Sequence, residues 1–302
     1  MKRREFLAGS ATLLVAACQT PGPAPLPEQP KSSPPAPPVA RAKPKIGLAL
    51  GGGAARGFAH IGVIKALDTN GISPDIVVGT SAGSVVGSLY AAGFGAFDLQ
   101  KLAIQLEESS FKDWALFDRG FLKGEALEAF INKQVGNKPI ESLKRRFGAV
   151  ATDLGTGEAM VFGSGNVGQA VRASSSVPGV FSPVVIRGRE YVDGGLVSPV
   201  PAHAARQFGA DIVIAVDISG RPSGRKGSGS LDVMLDTIAI MGNTIGRYEL
   251  KEADVVVRPQ IQALPVANFQ GRNEAILEGE RAGFAAIASI RERLAAWDKP
   301  RG

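Results

Sequence analysis

The chain has 302 residues, and 34 Lys and Arg against 28 Asp and Glu give a formal net charge of +6. That excess is modest and scattered, and with no zinc-finger or helix-turn-helix pattern it argues against a nucleic-acid partner. One cysteine, Cys18, excludes an intrachain disulfide and a cysteine-cluster zinc site, and two histidines, His60 and His203, are too few for a histidine-rich metal centre.

Residues 1–17 read as a signal peptide: Lys2, Arg3 and Arg4 supply positive charge, and the apolar run 6–17 is too short for an ordinary membrane span. Arg3-Arg4-Glu5-Phe6-Leu7 resembles a twin-arginine export signal, and Val15-Ala16-Ala17-Cys18 resembles the lipobox of bacterial lipoproteins. The resemblance implies cleavage before Cys18 and an acyl anchor such as palmitate on the processed residue. Gln19 after the cysteine, rather than aspartate, implies the periplasmic face of the outer membrane. Residues 18–44 are crowded with Pro, Ala and Ser, which predicts an extended tether between lipid and domain.

Residues 45–297 alternate between strand and helix patterns, which predicts one α/β domain with a mostly parallel central sheet. A strand over 45–50 runs into Gly51-Gly52-Gly53-Ala54-Ala55-Arg56-Gly57, and helical spacing follows over 58–68. Strand, glycine loop and helix make an anion nest. A dinucleotide site fits it poorly, since no clean G-x-G-x-x-G is present and the second strand does not end in an acid that would hold a ribose. An oxyanion hole is the other reading. His60 on the first helix is expected to bond the loop, and Arg56 to orient the loop or attract an anionic headgroup.

The second strand ends in Gly79-Thr80-Ser81-Ala82-Gly83, followed by a small-residue helix to position 92. Ser81 is thereby placed on a tight turn over a helix N-terminus, where developing negative charge is favoured. Further along, helices are predicted over 98–108 and 124–134. A hairpin is expected over 147–162, and a short helix over 167–176 that carries a capping cluster, Ser174 to Ser176. The aromatic-rich stretch 111–122 is expected to be core, or else to line an acyl channel or lid. Asp193-Gly194-Gly195 closes a short strand, which would project the aspartate into a crevice at the strand end. A helix over 199–207, an apolar interior strand over 210–217, a basic loop over 219–230 and helices over 231–250 and 272–297 complete the pattern.

A serine hydroxyl needs a base. Two arrangements are open: Ser81 with Asp193 directly, or a triad of Ser81, Asp193 and His203. His203 lies mid-helix among alanines, a poor position from which to reach both partners.

Taken together, these motifs resemble the bacterial patatin-like phospholipases, which share a glycine-rich loop ending in Arg-Gly, a G-x-S-x-G turn and an Asp-Gly-Gly or Asp-Gly-Ala motif. Gly79-Thr80-Ser81-Ala82-Gly83 matches the turn, and the stretches 151–154 and 176–179 also fit the family. The resemblance implies a three-layer α/β/α fold and a serine acyl hydrolase of phospholipids or lysophospholipids that needs no cofactor and no metal. It implies Ser81 as nucleophile, Asp193 as base and no catalytic histidine. Gly52, Gly53 and Ala54 would line the oxyanion loop, with Arg56 and Gly57 closing it. A carboxylesterase or thioesterase would use the same residues, and a non-catalytic lipid-binding lipoprotein is the reading from another class. One departure stands out: Ala54 occupies the third glycine position, and alanine is expected there only with negative φ.

Overall fold

The computed structural model describes residues 22, 42–105, 124–220, 229–261 and 271–297. The segment expected to be a signal peptide, Cys18, most of the expected tether, the aromatic stretch 111–122 and the core of the basic loop lie outside the described residues. The chain divides into two units, residues 1–40 and 41–302, and the fold below belongs to the second.

Strands β1 (Ile46–Leu50), β2 (Ile76–Thr80) and β7 (Ile212–Val216) are buried along their whole lengths. Continuous apolar runs of this kind suit a parallel sheet covered on both faces. β1 lies between β2 and β7, parallel to both, and β8 (Val255–Val257) extends the sheet in parallel beyond β7. On the other side of β2 comes β3 (Arg146–Asp153), also parallel. Beyond it the sheet turns antiparallel: β4 (Ala159–Phe162) and β6 (Arg189–Asp193) both pair with β3, and β5 (Val184–Ile186) pairs with β6.

Side-chain alternation along the strands sorts the core into two faces. Leu48, Leu50, Val77, Phe147, Ile214 and Val216 point to one face. There they meet α1 (Phe58–Thr69), α2 (Ala82–Ala92) and the long α8 (Arg272–Trp297). Ala49, Val78, Val150, Val213 and Ala215 point the other way, onto α6 (Ala202–Gln207). α3 (Ala96–Gln105), α4 (Glu125–Gln134), α5 (Val167–Ser174) and α7 (Ser230–Glu249) complete the described helices. This is the mostly parallel sheet that the strand–helix alternation predicts, in the three-layer α/β/α arrangement that the resemblance implies.

One boundary moves. Helix was expected from 199, but α6 begins at Ala202, after Pro199 and Pro201. Each proline biases the residue before it toward extended backbone, so the segment 198–201 stays open and crosses the tops of the strands instead.

The register explains how distant residues meet. β3 pairs with β2 over residues 146–150 and with β6 over 151–153, while β4 pairs with residues 149–152. β4 overlaps both of the others, so it must hold the opposite edge, and β2 and β6 share one edge. β2 runs up that edge and stops at Thr80, opposite Val150. β6 runs down it and stops at Asp193, opposite Ala151. The ends of two strands more than a hundred residues apart in sequence thus face each other across one register step.

Candidate active site

Ser81 stands at the turn between β2 and α2 with φ 51 and ψ −121, a conformation that L-residues rarely adopt. Its neighbours hold it there. Its amide donates to Ser174 Oγ at 2.9 Å, and its carbonyl accepts from Ser84 N, Ser84 Oγ and Val85 N. The flanking glycines are sterically required. A Cβ on Gly83 would stand 2.0 Å from Leu50 O, and one on Gly79 would stand 2.3 Å from Gly83 O. Thr80 is buried and donates through Oγ1 to Ser198 O at 2.7 Å. Ala82 begins α2, so its amide joins the helix N-terminal donors.

Asp193 is 5% exposed, and its Oδ1 accepts the Gly195 amide at 2.7 Å. Its Oδ2 is buried with no hydrogen-bond partner among the described residues. Burial raises its pKa to about 6, against smaller opposing effects from the Ser81 hydroxyl and the Gly195 amide. The Ser81 hydroxyl is thus close enough to favour the carboxylate, although no hydrogen bond of regular geometry closes between them. Contacts of this kind are often long in an unliganded site and tighten when substrate arrives. Gly194 permits the approach, since a Cβ there would stand 2.2 Å from Val150 O.

The glycine loop passes beside Ser81: a Cβ on Gly52 would stand 3.4 Å from the Ser81 Cβ, and one on Gly57 would stand 2.7 Å from the Ala82 Cβ. Two expectations for this loop need correction. Gly52 does not present its amide to a reacting oxygen, because that N–H donates to Pro199 O at 2.9 Å. The loop donors left without a protein acceptor among the described residues are those of Gly53, Ala54 and Ala55, at the start of a 3-10 turn (Ala54–Gly57). Ala54 has φ 48, not the negative value expected of alanine. The tight entry into that turn overrides its preference, at a cost of about 1 kcal/mol.

Arg56 is 7% exposed, so the solvent-facing headgroup role is not available to it in this conformation. Its Nε donates to Gly53 O at 3.4 Å, and its guanidinium fills the space beside Gly220. Burial lowers its pKa, and nearby Asp217 opposes the shift. Arg56 therefore braces the loop from below. His60 acts likewise: fully buried, it places Nε2 2.8 Å from Gly51 O, so that nitrogen carries the proton. Burial lowers its pKa to about 4, so it is neutral at physiological pH. His203 is exposed on α6, and its ring Nε2 meets Gln207 Nε2. No hydrogen bond links it to Ser81 or Asp193 among the described residues, so the triad does not assemble.

Ser174 is the residue that sequence reasoning undervalued. The capping cluster at the end of α5 reaches both halves of the site. Ser174 Oγ accepts from Ser81 N and donates to Val150 O at 2.5 Å, while Ser176 O accepts from Asp193 N at 2.9 Å. The only signal was a run of three serines ending a helix.

An apolar cavity of about 280 Å³ lies nearby, lined among others by Thr152, Leu154, Val192, Leu196, Ile238 and Met241. Among the described residues no three His, Cys, Asp or Glu side chains gather into a metal-ligand group.

This geometry can be compared with known proteins. The family model described as patatin-like phospholipase matches residues 48–206, more than half of the chain, and that span contains both Ser81 and Asp193. The chain belongs to the patatin-like phospholipase family. An NTE family protein of Mycobacterium bovis is 38% identical over 185 residues, covering 60% of this chain and 51% of the relative. A second NTE family protein, from Mycobacterium tuberculosis, is 29% identical over 269 residues, or 80% of this chain and 46% of that protein. Lysophospholipase NTE1 of Coccidioides immitis is 35% identical over 179 residues, covering 57% of this chain and 11% of the fungal protein. This patatin-like chain thus spans about half the length of the first mycobacterial relatives it matches. Among solved structures, VipD from Legionella pneumophila superposes with a TM-score of 0.55 at 14% identity, covering 85% of this chain and 68% of that one. That likeness concerns the fold.

Proposed function

We propose that the protein is a serine hydrolase of carboxylic esters of lipids, phospholipid or lysophospholipid, working through Ser81 and Asp193. The observation that carries this reading is the buried Asp193 carboxylate, whose Oδ2 has no hydrogen-bond partner among the described residues and which feels the hydroxyl of Ser81 on its strained turn. A buried acceptor without a donor costs about 1–3 kcal/mol, and a role in accepting a proton is a reason for a fold to carry that cost. A pKa of about 6 makes it a far better base near neutrality than an ordinary aspartate. The family membership and the lysophospholipase among the relatives support the lipid-ester class.

In this mechanism Ser81 Oγ attacks the ester carbonyl as Asp193 Oδ2 takes its proton. The amides of Gly53 and Ala54, with the α2 N-terminus at Ala82, stabilise the tetrahedral oxyanion, each donor contributing about 3 kcal/mol in the transition state. The carbon–oxygen bond to the leaving group breaks, and Asp193 returns the proton to the departing alkoxide. Water, deprotonated by Asp193, then attacks the acyl-serine; the bond from the acyl carbon to Ser81 Oγ breaks, Asp193 returns the proton to Oγ, and the fatty acid leaves. Arg56 and His60 support the loop without touching the reacting atoms. The export signal, the lipid on Cys18 and the tether would hold this domain at the periplasmic face of the outer membrane, near its substrate.

The test is product release from a short-chain nitrophenyl ester and from lysophosphatidylcholine. Wild type lacking residues 1–44 is compared with Ser81→Ala, Asp193→Asn and His203→Ala forms, each checked for folding. Turnover lost in the first two and kept in the third supports the dyad. A requirement for His203, or a folded wild type inert on both substrates, would overturn this reading. Radiolabelled palmitate incorporation into the full chain, lost in Cys18→Ala, tests the anchor.

A further inference from the structure

Glu249 is the last residue of α7, where the helix dipole disfavours a carboxylate. Its surroundings nonetheless hold it firmly. Oε1 accepts from Ser198 Oγ at 2.5 Å, and Oε2 accepts from Val200 N at 2.9 Å. Val200 stands between Pro199 and Pro201, so its N–H is the only amide donor in 199–201. Glu249 therefore takes both the one available amide and the neighbouring hydroxyl of this segment.

The segment it holds is a junction. Thr80 Oγ1, one residue before Ser81, donates to Ser198 O at 2.7 Å. Gly52 N, at the start of the oxyanion loop, donates to Pro199 O at 2.9 Å. Ser198 N donates to Gly194 O at 2.8 Å, the residue after Asp193. Three parts of the site thus converge on Ser198 and Pro199, and Glu249 anchors them from outside. Packing supports the same seat: Cβ atoms on Gly242 and Gly246 of α7 would stand 3.6 Å from Gly195 O and from Pro199 Cγ. Gly246 is the one buried residue of α7, so this segment is where the helix meets the body of the protein.

We propose that Glu249 is a positioning residue for the hydrolytic site, fixing the 198–200 segment so that the Ser81 turn and the oxyanion loop keep their relative placement. It touches no reacting atom and acts only through Ser198 and Val200. The inference rests on the Ser81–Asp193 reading above. Burial raises the Glu249 pKa to about 7, with the Ser198 and Val200 bonds opposing the rise. A neutral glutamine is therefore a fair substitute, since its carbonyl can accept from Val200 N and its amide can donate to Ser198 Oγ.

The experiment measures the rate at which a fluorophosphonate probe labels Ser81, along with kcat and KM on a nitrophenyl ester. Glu249→Ala, Glu249→Gln and wild type are compared at a temperature well below each melting midpoint. Small misplacements of catalytic groups cost roughly 10²-fold, so Glu249→Ala should label and turn over tenfold to a hundredfold more slowly, with KM little changed. Glu249→Gln should recover most of the rate. Labelling of folded Glu249→Ala within about twofold of wild type would overturn the proposal, as would an equal loss in the glutamine form. Amide exchange keeps the test independent of the hydrolase reading. In Glu249→Ala the Gly52 amide should exchange faster than in wild type, and unchanged protection would sink the inference. A wild type that neither labels nor hydrolyses would instead refute the proposed function and leave exchange to decide on Glu249.

Discussion

Two strands end against the same edge of β3, and they deliver their side chains in opposite ways. β2 ends in strain: Ser81 has φ 51, its amide and carbonyl are both held, and the glycines around it have no room for a methyl group. β6 ends at ease: Asp193 has φ −49 and ψ 133 and caps the next turn through its own Oδ1. What is stressed at Asp193 is its charge, not its backbone. The nucleophile is therefore set by backbone enclosure and the base by desolvation, so each should fail differently when altered.

The largest expected effect is chemical. Ser81→Ala and Asp193→Asn should each lower kcat about 10³-fold or more while the fold persists, measured on a soluble nitrophenyl ester. Next come the enclosing glycines. Gly83→Ala and Gly194→Ala would put a methyl carbon 2.0 Å and 2.2 Å from backbone oxygens, so each should cost about 3 kcal/mol or more by urea denaturation. If only Gly83→Ala is costly, the two strand ends differ even more than described. If neither is, the enclosure argument fails.

The charge on Asp193 gives a paired prediction. Its pKa is raised, so the native state holds this proton more tightly than the unfolded chain does. The group's contribution is most favourable below about pH 4 and is lost as pH rises through about 6. Asp193→Asn should therefore stabilise the protein at pH 8 by about 2–3 kcal/mol, with the gain fading toward pH 4. Over the same window wild-type kcat/KM should rise with pH, with an apparent midpoint near 6. A stability gain that did not vary with pH would show that desolvation is not what is stressed at Asp193.

Ser174→Ala should have a moderate effect. It leaves Ser81 N without its acceptor at a cost of about 1–3 kcal/mol, and thermal melts together with kcat would register it. Ala54→Gly should be the smallest. Relief of the positive φ is offset by the greater freedom of glycine in the unfolded chain, so stability should change by under about 1 kcal/mol.

Much of the fold was legible before any coordinates. The apolar runs over 45–50 and 210–217 announced buried parallel strands, and the turn composition at 154–157 announced the β3–β4 hairpin. Helix 272–297 was read to its ends because its pattern is long and uninterrupted. The expected helix from 199 begins instead at Ala202, because two prolines keep the chain before it extended. Gly52 is expected on the oxyanion loop from the family resemblance, and sequence does not say which amides are already bonded. Ala54 was expected at negative φ because the preference of a single residue was weighed without the loop around it. Ser174 and Glu249 were missed for a common reason: each acts through one hydrogen bond or two to residues far away in the chain.

The sequence by itself determined the local elements: the glycine nest, the serine turn and an aspartate closing a strand. Each is written in neighbouring residues, because turn geometry and helix capping are short-range matters. Only the tertiary structure decided that β2 and β6 share an edge of β3, that Gly52 is bonded away to Pro199, and that the Asp193 carboxylate is buried with its Oδ2 lacking a hydrogen-bond partner among the described residues. Those outcomes depend on strand register and desolvation, which arise from contacts between segments a hundred residues apart.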